Sequence, residues 1–317
     1  ATLTVNSSAI TTATNTFTLD ASAETDGILV VTGSAGIDTI TMTQSDQADN
    51  ISLAGAADII YVSGTQLTSA DTINGGNGDD TLSYTSDEVI TDTDFTLVTN
   101  LEKLTAVNGI QITGTLAVKA KDAGVTTVTF NDDGDGDNLV INSAFNQSTL
   151  RLNLDDGDNT FDASAFTGVL TVAVTEAVAD AAADTHTVTG GTGTTDELLI
   201  TADGTGIDTT DMANFTAFEK LTIANDASTG TIVINTATVA DNATLTVNAT
   251  AITTASNTFT LNASAETNGI IVVQGSAGID TITMTQSDQA DNISLGAAND
   301  IVHVLGNHLT SADTVNG

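Results

Sequence analysis

The residues of this chain best placed to do chemistry are carboxylates set among glycines. Gly75-Gly76-Asn77-Gly78-Asp79-Asp80-Thr81-Leu82-Ser83 places three glycines ahead of Asp80, with an aliphatic residue two positions after it. Glycine reaches backbone conformations closed to other residues and so turns carbonyl oxygens inward. Asp80 adds anionic oxygen, and Leu82 points to a core. Two such turns stacked one above the other make an oxygen-only cage of the kind a hard cation of calcium size takes. Gly33-Ser34-Ala35-Gly36-Ile37-Asp38 keeps the first glycine, the fourth and the aspartate, and Gly275 to Asp280 repeats it. Gly190-Gly191-Thr192-Gly193 is followed by Asp196 one position late.

The spacing of these aspartates carries the argument further. An aspartate stands two residues before an aliphatic at Asp38, Asp49, Asp58, Asp71 and Asp80, and alternate members, 38 to 58 to 80, lie 20 and 22 residues apart. Alternate aspartates therefore fall on one side of a coil that contains two strands. Asp38, Asp58 and Asp80 are candidate ligands, as are Asp280 and Asp300, their counterparts near the end of the chain. A second acidic cluster around residues 131–137 offers Asp135 and Asp137, with Asp156 and Asp158 of the following coil as partners. Calcium is the expected cofactor.

Charge points the same way. The chain holds 41 acidic and five basic residues, a formal charge of −36, which argues against nucleic acid or an anionic membrane as partner. So many carboxylates repel one another unless a cation screens or binds them. Cysteine is absent, so neither disulfides nor thiolate metal sites are available. The three histidines, His186, His303 and His308, are scattered, and Tyr61 and Gln66 replace the last two in the corresponding earlier segment. Only Lys103, Lys119, Lys121, Arg151 and Lys220 could assist a carboxylate in sugar cleavage. We expect no enzymatic activity.

The elements that must position these turns are strands organised by nested repeats. Residues 1–75 realign without a gap on residues 243–317, with roughly four in five positions identical, the signature of an array. Within that 242-residue period, Leu101-Glu102-Lys103-Leu104-Thr105 returns as Phe218-Glu219-Lys220-Leu221-Thr222, dividing it into diverged units of about 101–217 and 218–317. The Glu-Lys pair reads as a structural or solvated feature, since neighbouring strand positions face opposite sides. Asp135-Gly136-Asp137-Asn138 and Asp156-Gly157-Asp158-Asn159 are 21 residues apart, which is solenoid spacing. Proline is absent and aromatics make up 3% of residues, consistent with a thin core and amides committed to β-ladders. The expected fold is all-β, a right-handed parallel β-solenoid of about 20–22-residue coils running through residues 1–317 as one continuous segment. The pattern begins and stops inside a repeat, so we expect a segment of a longer protein. No apolar run approaches the ~18 residues of a membrane span.

The nonapeptide Gly75 to Ser83 resembles the RTX (repeat-in-toxin) calcium β-roll, and the surrounding units resemble large bacterial surface-layer proteins and adhesins. That resemblance implies calcium bound between successive turns, with Gly75, Gly76, Gly78 and Asp80 as ligand-bearing positions. It further implies an exported structural role in a surface layer, filament or adhesin at a bacterial cell surface, with self-association between copies or further repeats. The alternative is a stalk that recognises ice or a surface glycan through Thr-x-Thr faces such as Thr16-Thr18 and Thr39-Thr41.

Overall fold

The computed structural model describes residues 1–317 apart from 46, 64–65, 132–135, 180–184, 203–205 and 241. The chain forms two compact units, Ala1–Gly157 and Asp158–Gly317. Each is a parallel β-solenoid, as the spacing predicts. In the first unit the strands Thr2–Asn6, Ile28–Thr32, Asn50–Ser52, Thr72–Asn74 and Val98–Thr99 form one sheet. The intervening strands Phe17–Asp20, Asp38–Thr41, Ile59–Val62, Thr81–Tyr84, Lys103–Ala106, Thr127–Thr129 and Thr149–Asn153 form a second. A third sheet, Glu88–Ile90, Ile112–Leu116 and Asn138–Ile141, begins before the last strand of the first and continues beyond it.

Alternation within each strand decides which side chains face the core. In Asp38–Thr41 and Ile59–Val62 every second residue is buried, and parallel pairing puts the same kind of residue at the same height in each coil. Ile40, Ile60, Leu82, Leu104, Val128 and Leu152 stand in register and are fully buried. The second unit repeats this with Val172, Leu198, Leu221, Val247, Val273 and Ile293. Burying one such side chain contributes roughly 1.5–3 kcal/mol. The scarce aromatics are spent inside: Phe95, Phe130, Phe145, Phe161, Phe166, Phe215 and Phe259 are all fully buried.

Coil length is less uniform than expected. The register advances by 20 to 22 residues through the coils between Val30 and Lys103. It advances by 24 from Lys103 to Thr127, by 27 from Thr160 to Thr187 and by 29 from Thr231 to Thr260. The turns absorb the excess, in places as short helices: Val118–Ala123, Glu176–Ala179 and Thr209–Met212. Among the described residues no helix is long and apolar enough to cross a membrane.

Candidate functional site

Aspartates placed two residues before an inward aliphatic end up at the mouth of a strand, Asp38 as its first residue and Asp49, Asp58, Asp71 and Asp80 just before it. Asp38, Asp49, Asp58, Asp71 and Asp80 are each at most 2% exposed. Their main partner is the backbone of the preceding coil. The Asp38 N–H donates to Asp58 Oδ1 at 2.7 Å, the Asp58 N–H to Asp80 Oδ1 at 2.8 Å, and the Asp80 N–H to Glu102 Oε2 at 2.9 Å. A second ladder lies on the opposite side of the coil. There Leu29 donates to Asp49 and Asp49 donates to Asp71, each at 2.8 Å. Both ladders recur in the second unit, through Asp280 with Asp300 and through Ile271, Asp291 and Asp313.

The Glu-Lys motif now has a physical role. Glu102 ends the first ladder with a side chain one methylene longer than aspartate, and Lys103 faces outward to Asp79 at 3.4 Å. Glu219 does the same for Asp196, and Lys220 pairs with Glu197 at 2.6 Å. In both places the glutamate and lysine N–H groups share one carbonyl, Asp80 O in one and Asp196 O in the other.

What distinguishes the turns is the second carboxylate oxygen. Asp38 has both oxygens engaged by Ser34, Oδ2 by the N–H at 2.7 Å and Oδ1 by the hydroxyl at 2.7 Å. Ser276 closes Asp280 in the same way. Asp196 takes the Gly191 N–H on Oδ2 at 2.7 Å and the Leu170 N–H on Oδ1 at 2.8 Å, so the extra residue before it is absorbed without loss. Asp49 has Thr43 on its second oxygen, and Asp71 has Thr68. By contrast, Asp58 Oδ2 and Asp80 Oδ2 are buried with no partner.

These two orphaned oxygens belong to consecutive coils whose turns are in close contact. Gly55 and Asn77 bridge the turns in parallel, and the Asn77 N–H donates to Ala54 O at 3.1 Å. Gly76 and Gly78 adopt φ of 107° and 146°, and a Cβ on Gly76 would lie 2.7 Å from Ala54 O. A Cβ on Gly78 would land on Ala56 O, and one on Gly75 would lie 2.6 Å from Asp80 Oδ2. The glycines thus let the turn's backbone and the carbonyls of the coil before it approach within van der Waals reach. Burial drives Asp58 up to about 7, the Asp38 N–H offsets part of that, and the charges of Asp38 and Asp80 add to it. Asp80 is raised by burial in the same direction, with Glu102 and Asp79 adding to it.

The donor set is two carboxylate oxygens without partners plus nearby turn carbonyls, an oxygen-only environment that fits calcium. It is not a cage of carboxylates: among the described residues no three acidic or histidine side chains group as a metal centre. Of the expected ligands the structure brings together Gly75, Gly76, Gly78, Asp80 and Asp58. Asp38 and Asp280 each have both carboxylate oxygens engaged by the serine four residues earlier. Asp300 spends Oδ1 on Asp280. Asp135 lies outside the described residues. Asp137 is buried and accepts the Ile112 N–H at 2.6 Å. Asp156 is exposed, and so is Asp158, which accepts the Thr185 N–H.

Sequence reading missed the second ladder as a functional set, although Asp49 and Asp71 carry the same Asp-x-Ile signal. It also missed Ser34 and Ser276, whose hydroxyls read simply as turn residues. Of the histidines, His186 is buried against Val178 O at 3.1 Å, His303 is exposed and His308 lies 3.6 Å from Asp288, so they form no common site.

Fold and site together define a parallel β-solenoid repeat protein whose coils are tied by buried carboxylate ladders. Comparison with family models, with curated proteins and with solved structures finds no match to this chain.

Proposed function

We propose that the protein is an extracellular structural repeat protein, a segment of a bacterial surface layer, filament or adhesin, stabilised by calcium between the turns 53–58 and 75–80. The observation that carries this reading is the pair of buried, unpartnered oxygens, Asp58 Oδ2 and Asp80 Oδ2, in stacked glycine turns. A buried carboxylate oxygen left without a partner costs the fold free energy, and a divalent cation removes that cost while neutralising part of the −36 charge. Calcium then acts as a folding ligand. Self-association between copies, a non-enzymatic role and a cell-surface location follow from the same reading and from the resemblance to RTX-type surface proteins.

The test is thermal and urea unfolding of the chain in EGTA, in calcium and in magnesium. Calcium should raise the midpoint at concentrations where magnesium does little, since magnesium demands tighter octahedral geometry. An unfolding midpoint indifferent to chelator would overturn the proposal. The ice- or glycan-binding alternative draws less support from the outward columns. The rank Thr18, Thr39, Ile59, Thr81, Lys103, Thr127, Arg151 interrupts threonine with aliphatic and basic residues.

A further inference from the structure

The outer face of the second sheet of the first unit differs from the rest of the chain in charge. Alternation turns two or three side chains outward from each of its seven strands, and of the outward positions described Asp20 alone is a carboxylate, in a chain that has 41 acidic residues. Parallel register stacks these side chains in two files. One runs from Thr18 through Ile59 and Thr81 to Lys103 and Arg151, the other from Asp20 through Tyr61 to Asn153. Asp20 thus stands on the first strand, Tyr61 on the third, Lys103 on the fifth and Arg151 on the seventh. Arg151 is held in place: its Nε donates to Asn153 Oδ1 at 2.7 Å, and Asn153 Nδ2 donates to Thr129 Oγ1 at 2.9 Å. Yet among the described residues its guanidinium is in no ion pair. Lys103 meets Asp79, 71% exposed, at 3.4 Å, an exposed pair that contributes little.

The order of these groups is complementary to itself about a twofold axis through the fourth strand, Thr81–Tyr84. Such an axis, lying along that strand in the interface, sets the first strand of one copy over the seventh of another and the third over the fifth. Arg151 then comes over the strand that carries the second copy's Asp20, and Lys103 over the strand of its Ile59 and Tyr61. We propose that this face binds the same face of a second copy, antiparallel, with Arg151 paired to Asp20 at both ends and Lys103 against the Tyr61 ring on either side of the middle. With the self-association inferred above as premise, this face is the surface that performs it. An isologous contact uses each pairing twice, and a cation over an aromatic ring is itself attractive. Two chains of charge −36 repel, so close contact requires a surface cleared of carboxylates. Seven strands about 4.8 Å apart and about 12 Å long cover roughly 400 Å² per copy. The total of roughly 800 Å² lies at the low end of specific interfaces, so the pairing is weak and reversible, with a Kd on the order of 0.1 mM.

The experiment is sedimentation equilibrium of the full chain up to about 1 mM, in EGTA and about 0.15 M salt to screen the net charge. The parent should dimerise. Asp20→Arg and Arg151→Asp should each weaken the dimer by at least about tenfold, since either one turns both attractive pairs into repulsive ones. An equimolar mixture of the two variants should associate as the parent does, because every arginine then meets an aspartate. Tyr61→Thr should weaken the dimer by a smaller factor. Undiminished dimerisation of either charge variant alone, or a mixture that fails to recover it, overturns this surface while self-association through another face stands. A parent that stays monomeric overturns both. Association that needs calcium and is equal in parent and variants assigns the contact to the carboxylate-rich turns and overturns this surface as well. If Asp20→Arg does not fold by far-UV circular dichroism, Asp20→Asn takes its place, since it keeps an oxygen for the Ser22 N–H that Asp20 accepts at 2.9 Å. It should weaken the dimer several-fold, and no change would refute the pairing.

Discussion

Replacing Asp58 with asparagine separates the ladder function of this side chain from its unpartnered oxygen. The amide oxygen of asparagine can still accept the Asp38 N–H that Asp58 Oδ1 takes at 2.7 Å, while the position of Oδ2 becomes an uncharged NH₂. In the fold Asp58 titrates at about 7, against an ordinary 3.8. A folded-state value above the unfolded one gives stabilisation that is whole below pH 3.8 and is lost as the pH rises through 7. At 1.36 kcal/mol for each pH unit, that gap amounts to at most about 4 kcal/mol, and to about 2 kcal/mol once solvent screening at the turn is allowed for. In EGTA at pH 8 the variant should therefore be more stable than the parent by about 2 kcal/mol, a rise of roughly 4–8 °C in midpoint for a unit of this size. At pH 4 the protonated aspartate resembles the amide and the difference should close. Calcium at 100 times its Kd adds about 2.7 kcal/mol to the parent and little to the variant, so at pH 8 the order reverses. Circular dichroism melts across pH 4 to 8.5, with and without calcium, measure all of this. Parallel pH profiles for the two proteins, or an equal calcium effect on both, would refute the reasoning.

Other substitutions probe the neighbouring turns. Asp49→Ala leaves the Leu29 N–H and the Thr43 hydroxyl without partners, and urea unfolding should show a loss of about 2–4 kcal/mol that calcium does not restore. Gly78→Ala drives a methyl group into Ala56 O at φ 146°; it should cost at least about 2 kcal/mol and abolish the calcium response in the same melts. Ser34→Ala removes the hydroxyl that holds Asp38 Oδ1 at 2.7 Å. In chelator it should lower stability by about 1–2 kcal/mol, and added calcium should recover most of that loss, a response beyond the parent's that isothermal titration would register as an added site.

Strands and coils were readable because one physical requirement writes them into the chain. Parallel stacking repeats the same environment every coil, so the aliphatic at Ile40 returns at Ile60 and Leu82, each two residues after an aspartate. Longer coils were not readable. Their extra residues sit in turns such as Val118–Ala123, where Gly124 ends a six-residue helix at φ 112°, and no periodicity survives in a segment that short. Within the site, the aspartates announced themselves by spacing, but which of their oxygens lacked a partner did not. That depends on whether a backbone N–H four or five residues earlier turns inward, a property of turn geometry rather than of residue type. The Thr-x-Thr pairs carry less information, because exposed strand positions favour threonine regardless of ligand.

The comparison of turns inverts the usual meaning of a motif match. The segment 75–83 obeys the nonapeptide pattern in full, and its Asp80 is among the least satisfied by the protein itself. Gly33 to Asp38, Gly275 to Asp280 and Gly190 to Asp196 all depart from the pattern, and each has gained an internal donor for the second carboxylate oxygen. In Ser34 and Ser276 the departure itself, serine where the pattern has glycine, adds a hydroxyl that donates to Oδ1, while the backbone N–H takes Oδ2. Glycine at the second position provides close approach of backbones but no side-chain donor; its N–H can still reach the carboxylate, as Gly191 reaches Asp196, and where no donor does, as at Asp80 Oδ2, the oxygen shares a proton, takes a cation or remains unpaired. The array therefore mixes turns whose carboxylate is closed from within, such as those of Asp38, Asp196 and Asp280, with turns whose second oxygen is left open, those of Asp58 and Asp80.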